Sequence, residues 1–483
     1  MKTIQLTIFL FFNSLILFGQ IKNGGFEISK DSLNITPKDW SVRNVEGFNY
    51  YLDNNVKNQG EKSFVIKSLP SVGSQSFLPF SQIVNMDIPS LKRVRISAFI
   101  KTDSINGGAA LWCQVWDINK KQIGFVNSNT QGKINGSNDW KKCSLDLTIN
   151  SKCKYLLLGG YLQGKGTIWF DNLTVDDIIS PNVQPSKKVK KFIENFSKVV
   201  KKNSIYSDSL NWNILNSELD YLSRGITNIE DVSFISTYFI EKLREVGDYH
   251  SFIRSKELSE TTSKINTDGR LPYGKIIDNS IGYIYVPGFM SMSDTSILNF
   301  ATKIQNLIRK IDNESDIQGW IIDLRENTGG NMYPMIAGLG PIIGDATLGY
   351  FTYSKGENIK WFYEKGECGE GKKLRVKVNN PYVLKNKKSK IAVLIGSRTG
   401  SSGEMTTISF IGKPYTMLFG QKSAGFITAN SGFNLLNGST LLLATSYTMD
   451  RNLKKYLKPI IPDILIEDDN KTLQTASDWI KIR

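Results

Sequence analysis

Apolar and polar residues alternate in short runs through the first part of the chain. Apolar side chains at every second position are typical of β-strands with one buried face. Clear examples are residues 95–100, 111–116 and 155–160. Turn-forming residues separate such runs, as at Asn106–Gly108 and Asn135–Gly136. The pattern predicts an all-β domain over residues 21–178.

The spacing of the apolar residues changes after the all-β segment. Val189, Phe192 and Phe196 recur at spacings of three and four residues, which is the period of an amphipathic helix. A second run of this type covers residues 232–244. We therefore predict a small helical subdomain over residues 186–268.

Strand-like and helix-like runs alternate in the rest of the chain. Short apolar runs bounded by turn residues predict buried strands. These runs are residues 281–286, 319–324, 391–395 and 415–419. An apolar stripe from Ile297 to Ile311 predicts a long helix between the first two. The alternation predicts an α/β core with a largely parallel sheet over residues 269–483.

The N-terminus has the composition of an export signal. A short basic segment, Met1–Thr3, precedes an apolar run from Ile4 to Phe18. That run is too short for an ordinary transmembrane helix, and no later apolar run reaches about 18 residues. We predict a signal peptide over residues 1–20 and an exported protein in the periplasm, at the cell surface or outside the cell.

The composition narrows the classes of partner and cofactor. Lysine and arginine exceed the acidic residues by 15, but they are spread along the chain. No basic stripe is interleaved with aromatic residues, so we predict no nucleic-acid partner. A single histidine argues against a zinc site. Cys143 and Cys153 flank a predicted hairpin and could pair in an oxidising compartment.

A serine in a turn between a strand and a helix carries the first candidate chemistry. Thr399–Glu404 follows the predicted strand 391–395 and precedes an apolar helix from about Met405. Such a turn exposes a hydroxyl beside the free N–H groups of a helix N-terminus. A serine needs a neighbouring base to become a nucleophile, and His250 is the only histidine of the sequence. The spacing differs from Gly-x-Ser-x-Gly, so an α/β-hydrolase is not indicated.

A second strand-to-helix junction supplies two glycines. The predicted strand that contains Trp320 runs into Gly329-Gly330 and then into a helix from about Met332. Glycine N–H groups approach a developing oxyanion without obstruction by a side chain. The two junctions together predict an acyl-transfer site.

Both junctions resemble those of the tail-specific (C-terminal processing) peptidases and the tricorn core protease. The matching residues, in chain order, are Asp323-Leu-Arg325, Asn327, Gly329-Gly330, Thr399-x-Ser401-x-x-Glu404, Gly420–Gly425 and Pro462-Asp463. The resemblance implies the spiral ββα (crotonase- or ClpP-like) fold for the core and Ser401 as the nucleophile. It also implies oxyanion donors in the backbone N–H groups of Ser402 and of Gly330, or of its neighbour Gly329.

The expected base departs from a common pattern of this family. Many tail-specific peptidases use a lysine just after the glycine turn, where this sequence has Phe426. The tricorn-like branch uses a histidine from an N-terminal helical segment, and Gly247-Asp-Tyr-His250-Ser251 resembles that stretch. We therefore predict His250 as the general base. No PDZ-like segment precedes the core, so a strict requirement for a substrate C-terminus is not implied.

The third catalytic residue has two candidates. The resemblance implies an acid shortly before Pro462-Asp463 that holds the imidazole, and the nearest one is Asp450. Asp463 is the alternative, although it equally fits a turn after the proline. Glu404 lies in the first turn of its helix, where a carboxylate is expected to favour the helix dipole.

The all-β domain resembles jelly-roll carbohydrate-binding and galactose-binding-like modules. Its opening segment Asn23–Glu27 and its closing segment Thr167–Thr174 carry the resemblance. The resemblance implies a structural calcium held by Glu27 and Asp171, and a polysaccharide partner. Five tryptophans either form a sugar-stacking platform or belong to the core, and these are Trp40, Trp112, Trp116, Trp140 and Trp169.

These features predict a multidomain, exported serine endopeptidase that forms an acyl-enzyme on Ser401 with His250 as base. The expected partner is a peptide or protein substrate, and no cofactor is expected at the catalytic site. Two other functions stay open. One is a non-catalytic binding protein, because retinoid-binding repeats share this branch of the fold. The other is an esterase acting on polymer-linked esters, because the serine acyl chemistry would be the same.

Overall fold

The structure, a computed structural model, describes residues 20–482 except 87, 89, 132–133, 179–181, 257–269 and 355. The predicted signal peptide therefore lies outside the described residues, apart from Gln20. Within the described ranges, no helix combines the length and the apolar character needed to cross a membrane.

Two compact units make up the chain. One contains the residues up to Ser186 together with Asn216–Tyr238, and the other contains Lys187–Leu215 together with the chain from Phe239 onward. The helices of the predicted helical subdomain are divided between these two units. The helices are α1 Lys187–Asn203, α2 Trp212–Ser223 and α3 Ser233–Glu245.

The first unit is β-rich, as the alternating pattern predicts. Its strands are β1 Ser41–Val42, β2 Phe48–Asp53, β3 Ser63–Ser68, β4 Phe77–Asn85, β5 Lys92–Trp116, β6 Gln122–Asn127, β7 Gly136–Ile149 and β8 Tyr155–Ile178. They form one antiparallel network in the order β1-β4-β8-β3-β2, and β5 pairs with β6, β7 and β8. Phe26, Phe64 and Phe170 surround Phe80 in the core, with ring centroids 4.8–5.9 Å from that ring.

The Asn106–Gly108 segment does not form the predicted turn. Strand β5 continues through it, and Gly107 and Gly108 pair with Gly164 and Gln163 of β8. The register shifts between Asp103 and Asn106. Glycines inside a strand often mark such an irregularity rather than a reversal of the chain.

The sequence left open whether Cys143 and Cys153 form a bridge, and in the structure both cysteines are free. Strand β7, which carries Cys143, pairs with β5 and not with β8. The hairpin that would bring the two thiols face to face therefore does not form. Cys153 is buried in the turn before β8, and burial raises the pKa of its thiol to about 12.

The second unit contains a six-stranded sheet in the order β10-β11-β12-β17-β18-β22. Its strands are β10 Tyr273–Ile277, β11 Ile281–Tyr285, β12 Gly319–Asp323, β17 Lys390–Ile395, β18 Thr416–Gly420 and β22 Ile464–Leu465. All neighbours are parallel except β10 and β11, so the predicted largely parallel sheet is present. The helices around it are α4 Asp294–Glu314, α5 Met332–Ile343, α6 Ser402–Ile408 and α7 Asp469–Lys481.

A second, antiparallel sheet of the same unit was not predicted from the sequence. Its strands are β9 Phe252–Arg254, β13 Ala346–Tyr353, β14 Asn358–Glu364, β15 Glu367–Glu370, β16 Lys373–Lys377, β19 Ala429–Asn434, β20 Thr440–Asp450 and β21 Lys455–Tyr456. Strands β9 and β19 both pair with β20. This pairing brings the segment just after α3 close to the segment just before β19.

Parallel strands end at one edge of the six-stranded sheet. The loops after β12, β17 and β18 leave this edge and contain, respectively, the paired glycines, the candidate serine and the segment 421–428. Ligand sites in open α/β sheets are usually built from loops at such an edge. The topology therefore collects residues that lie far apart in the sequence.

Candidate active site

Ser401 is held in an unusual backbone conformation at the start of α6. Its φ and ψ are 52° and −118°, a region that residues with a side chain rarely adopt. Its N–H donates to Glu404 Oε2 at 2.9 Å, and its carbonyl accepts the Met405 N–H at 3.0 Å. Strain of this kind persists only where the surrounding structure fixes the residue, and it is common at functional sites.

The Gly329-Gly330 turn lies directly against Ser401. The two glycines have φ values of 109° and 114°, in the region that favours glycine. A Cβ atom at Gly329 would lie 2.8 Å from Ser401 Cβ and 3.1 Å from the Ser402 nitrogen. The two strand-to-helix junctions predicted from the sequence therefore meet, and glycine is what permits the contact.

The hydrogen bonds of this turn show which of the three predicted oxyanion donors already have a partner. The Gly329 N–H already donates to Asn327 Oδ1 at 3.0 Å. The Ser402 hydroxyl donates to the Gly330 carbonyl at 2.5 Å, which fastens α6 to the turn. The backbone N–H groups of Gly330 and Ser402 are left as the candidate pair, and the hydroxyl of Ser402 is engaged elsewhere.

Glu404 has a larger role than the helix-dipole effect expected from the sequence. Its buried carboxylate accepts the Ser401 N–H at 2.9 Å, the Ser423 hydroxyl at 2.5 Å and the Gly425 N–H at 2.8 Å. Burial raises the pKa of this carboxyl, and the hydrogen bonds oppose that rise. Glu404 therefore ties the backbone of Ser401 to the loop that follows β18.

That loop also contacts His250. The Nδ1 atom of His250 lies 3.0 Å from Thr428 Oγ1, and the imidazole stacks on Phe426 with ring centroids 5.5 Å apart. Sequence reasoning identified neither contact, because each depends on the shared pairing of β9 and β19 with β20. The only signal in the sequence was Phe426 itself, at the position of the absent lysine.

Burial and hydrogen bonding act in opposite directions on the imidazole. Burial lowers the pKa of His250 below its ordinary value of 6.5, which is the largest effect. A hydrogen bond to the Thr428 backbone and the charge of Asp248 raise it, but less. The net result is a histidine that is neutral at neutral pH.

Asp248 fixes the backbone on which His250 sits. Its carboxylate accepts the N–H groups of His250 and Ser251 at 3.1 and 2.9 Å and the Ser251 hydroxyl at 2.5 Å. The Ser251 Oγ in turn accepts the N–H of Ala444 in β20 at 2.8 Å. The turn that carries the histidine is therefore anchored to the sheet.

Neither carboxylate proposed as the third catalytic residue hydrogen-bonds to the imidazole. Asp450 accepts the N–H groups of Asn452 and Lys454 and the Tyr456 hydroxyl at 2.8, 3.1 and 2.9 Å. It closes the turn between β20 and β21, which explains its burial. Asp463 accepts the N–H of Leu418 at 2.8 Å. The structure brings Ser401, Gly330 and Ser402 together and gives His250 a threonine as partner instead of an acid.

The two calcium ligands predicted in the first unit lie close to the same loop. Asp171 accepts the N–H groups of Asn58 and Gln59, and Glu27 accepts the N–H of Glu61. The Oδ1 atom of Asn58 is buried without a hydrogen-bond partner. Oxygen atoms of this type suit calcium. No group of three or more His, Cys, Asp or Glu placed to hold a metal occurs in the described ranges, so calcium stays a prediction.

Comparisons with known proteins identify the chain as a serine-type peptidase. A family model described as peptidase family S41 matches residues 280–466, which include both glycine-containing junctions but not His250. A nisin-resistance protein from Lactococcus lactis subsp. lactis is 30% identical over 301 residues, covering 62% of this chain and 87% of that protein. The solved structure of a lipoprotein from Streptococcus agalactiae has a TM-score of 0.52 and 29% identity, covering 61% of this chain and 96% of that one. This chain belongs to peptidase family S41.

Proposed function

We propose that the chain is an exported serine endopeptidase with Ser401 as nucleophile and His250 as general base. The proposal rests on the contacts of the loop 423–428. Glu404 links this loop to the Ser401 backbone. Phe426 and Thr428 of the same loop contact His250. One loop thus positions both reacting side chains. Export is supported by the predicted signal peptide and by the relative from Streptococcus agalactiae, which is a lipoprotein.

The reaction begins with the imidazole as acceptor. We assign the tautomer in which Nδ1–H donates to Thr428 Oγ1, 3.0 Å away, so that Nε2 stays unprotonated. Nε2 takes the proton of Ser401 as Oγ attacks the scissile carbonyl. The same atom then gives that proton to the leaving amine, and a water molecule hydrolyses the acyl-enzyme.

Two backbone donors stabilise the tetrahedral intermediate. The N–H groups of Gly330 and Ser402 bind the oxyanion, since the N–H of Gly329 is engaged with Asn327. Loss of one such donor typically lowers the rate by about 10²–10³-fold. In place of a triad acid, we assign Thr428 the role of holding the imidazole, and we assign Asp450 a role in closing its turn.

A pool of diverse peptides, read by mass spectrometry, tests this proposal. The mature chain from about residue 21 is compared with its Ser401→Ala and His250→Ala variants, and Ser354→Ala at an exposed position is the matched control. We expect internal cleavage by the wild type and the control, and none by the two site variants. If the wild type matches the site variants, the endopeptidase proposal fails and ester substrates are tested next.

We further propose that the first unit binds polysaccharide through one face of its sheet. Alternation places Trp112 and Trp116 of β5 on the same face, with Tyr155 and Tyr161 on the neighbouring β8. The Trp116 and Tyr155 rings lie 6.0 Å apart with planes 7° from parallel. Trp40 is buried in the core, so the five tryptophans do not act as one platform.

Affinity electrophoresis with a panel of soluble polysaccharides tests this second proposal. We expect at least one polysaccharide to retard the wild type, Trp116→Ala to lose most of the retardation, and Trp140→Ala on β7 to keep it. Equal retardation of both variants, or none for the wild type, would remove the role assigned to this face.

A further inference from the structure

A basic groove lies on the second unit outside the catalytic residues. Two segments, 410–418 and 454–463, line a cavity of about 730 Å³, and we refer to it as the lysine groove. This volume is in the range of ordinary ligand sites. Phe410, Leu418 and Ile460 provide buried apolar parts of its lining.

The lining of the lysine groove carries an excess of positive charge. Lys413, Lys454, Lys455 and Lys458 belong to its lining. Asp463 is the one acidic residue among the described lining residues, and its carboxylate already accepts the Leu418 N–H. The charge complement of this lining is therefore an anionic ligand.

The rim is apolar as well as basic. Leu457 and Ile461 are 66% and 64% exposed, although both are large hydrophobic side chains. They stand between and beside the lysines in the sequence Lys455-Tyr-Leu-Lys-Pro-Ile-Ile461. Exposed apolar side chains beside a concave site commonly mark a surface that binds a partner. A free phosphate or a purely polar anion would leave them uncovered.

The wall of the groove is joined to the active site by hydrogen bonds. The Ile460 N–H donates to Ser423 Oγ at 2.7 Å, and the Ser423 N–H donates to the Ile460 carbonyl at 3.0 Å. Ser423 in turn donates to Glu404, which accepts the Ser401 N–H. A chain seated in the groove would therefore lie one loop away from the nucleophile.

We propose that the lysine groove binds an extended peptide segment that carries both acidic and apolar side chains. Carboxylates of the peptide pair with Lys454, Lys455 and Lys458, while its apolar side chains cover Leu457 and Ile461. The concave shape favours a peptide over a membrane surface. The assignment of this segment to the enzyme's own substrates rests on the proposed function, whereas binding itself does not require catalysis.

Fluorescence anisotropy with a labelled peptide tests the binding. The probe has about ten residues of alternating glutamate and leucine, a length that spans such a groove in extended form. The protein is the full mature chain with Ser401→Ala, so the probe stays intact. Two comparison peptides replace every glutamate by lysine or every leucine by serine. We expect saturable binding of the probe, weaker binding of the serine peptide and none of the lysine peptide.

Charge reversal locates the site. We refer to the variant Lys454→Glu/Lys455→Glu/Lys458→Glu as the groove triplet. We expect it to weaken binding of the probe at least about tenfold, since three exposed charge contacts are lost and reversed. The matched control is Lys385→Glu/Lys387→Glu/Lys388→Glu, at three exposed lysines in another turn of the same unit, and it should bind as the parent does. A second variant, Leu457→Ser/Ile461→Ser, keeps the charges and should weaken binding severalfold. It decides the question if the charge reversal unfolds the protein in a thermal melt.

Several results would overturn the proposal. Equal affinities of the groove triplet and of the Lys385→Glu/Lys387→Glu/Lys388→Glu control for the probe would show that binding depends only on overall charge. No saturation by the probe would show that the groove takes no such peptide. The parent protein could also bind phosphatidylglycerol vesicles. If the groove triplet abolishes that binding and leaves peptide binding unchanged, the surface is assigned to lipid.

The groove and the catalytic site can fail independently. If peptides bind but the wild type cleaves none, the endopeptidase proposal falls and the groove stands. If cleavage occurs and the groove triplet leaves KM for an acidic substrate unchanged, the groove has no part in substrate binding. We expect the triplet to raise KM for glutamate-rich substrates and to leave kcat and the cleavage of uncharged peptides nearly unchanged.

Discussion

Phe426 stacks on the imidazole of His250, with ring centroids 5.5 Å apart and planes at 27°. The phenylalanine stands at the position where many tail-specific peptidases have their lysine base, and here its ring covers the histidine that we propose as the base. Coverage by an apolar ring disfavours the charged imidazolium. The ring of Phe426 thus contributes to the burial that lowers the pKa of His250.

The pH profile of peptide cleavage should have its acid limb below pH 6.5. Because burial lowers the pKa of His250 below 6.5, kcat/KM should stay flat down to that pH and then fall at lower pH as the base becomes protonated. Stability should follow the same direction. Below 6.5 the unfolded chain binds more protons at this residue than the folded chain, so the free energy of unfolding decreases. Circular dichroism at each pH separates the two effects, and an acid limb above pH 7 would contradict the prediction.

The Phe426→Ala variant should shift the acid limb of the pH profile. Removal of the ring exposes the imidazole to water, so the pKa of His250 rises toward its ordinary value and the acid limb shifts to higher pH. Phe426→Leu is the control, because a large apolar side chain retains most of the coverage. A pH–rate series of the three proteins measures the shift, and identical limbs would show that the stacking does not tune the base.

Thr428 should act on kcat through the orientation of the imidazole. In Thr428→Val the Oγ1 partner of Nδ1 is lost while the shape of the side chain is kept, and we expect kcat to fall about tenfold with little change in KM. Thr428→Ser restores a hydroxyl and should recover most of the activity. Full activity of the valine variant would show that the Thr428 hydroxyl does not hold the ring.

A methyl group at Gly329 should abolish activity. The Cβ of Gly329→Ala would lie 2.8 Å from Ser401 Cβ, and its φ of 109° also disfavours a side chain. Gly356→Ala is a matched control, because its φ is 80° but nothing lies within 4 Å of the added carbon. We expect the control to lose about 1–2 kcal/mol of unfolding free energy from the backbone alone and to keep its activity. Activity in the Gly329 variant would mean that the turn moves freely away from the nucleophile.

Glu404→Gln should lower both stability and activity. A carboxylate can accept from Ser401, Ser423 and Gly425 together, whereas the amide nitrogen of glutamine would face a donor. An unsatisfied buried group of this kind costs about 1–3 kcal/mol. Urea unfolding measures the loss, and peptide cleavage at temperatures where the variant stays folded should show a lower kcat. An unchanged urea midpoint of unfolding would show that the hydrogen bonds accepted by the Glu404 carboxylate are dispensable.

Local sequence patterns predicted the parts of the site but not how they join. The serine junction and the Gly329-Gly330 junction were predictable, since each is a strand, a turn and a helix within about fifteen residues, and the parallel sheet brings them together. The partners of His250 were not predictable, because they depend on β9 and β19 flanking the same strand across 178 residues of sequence. Asp450 was chosen by its place in the sequence, yet its carboxylate is taken by Tyr456 six residues later.

The same limit applies to the first unit. Alternation identified β-strands, but glycines at 107 and 108 suggested a turn where one long strand continues. The cysteine pair was inferred from a hairpin, whereas β7 takes β5 as its partner. In both cases the choice of partner strand is a property of the whole sheet and leaves no local signature.

Covalent labelling with a fluorophosphonate, mapped by mass spectrometry, tests the central claim most directly. Such a reagent reacts with a serine only when a neighbouring base activates it. We expect a single adduct on Ser401 in the wild type, a labelling rate that falls below pH 6.5, and no adduct in His250→Ala. An adduct on a different serine, or labelling of Ser401 at an undiminished rate without His250, would contradict the assignment of nucleophile and base.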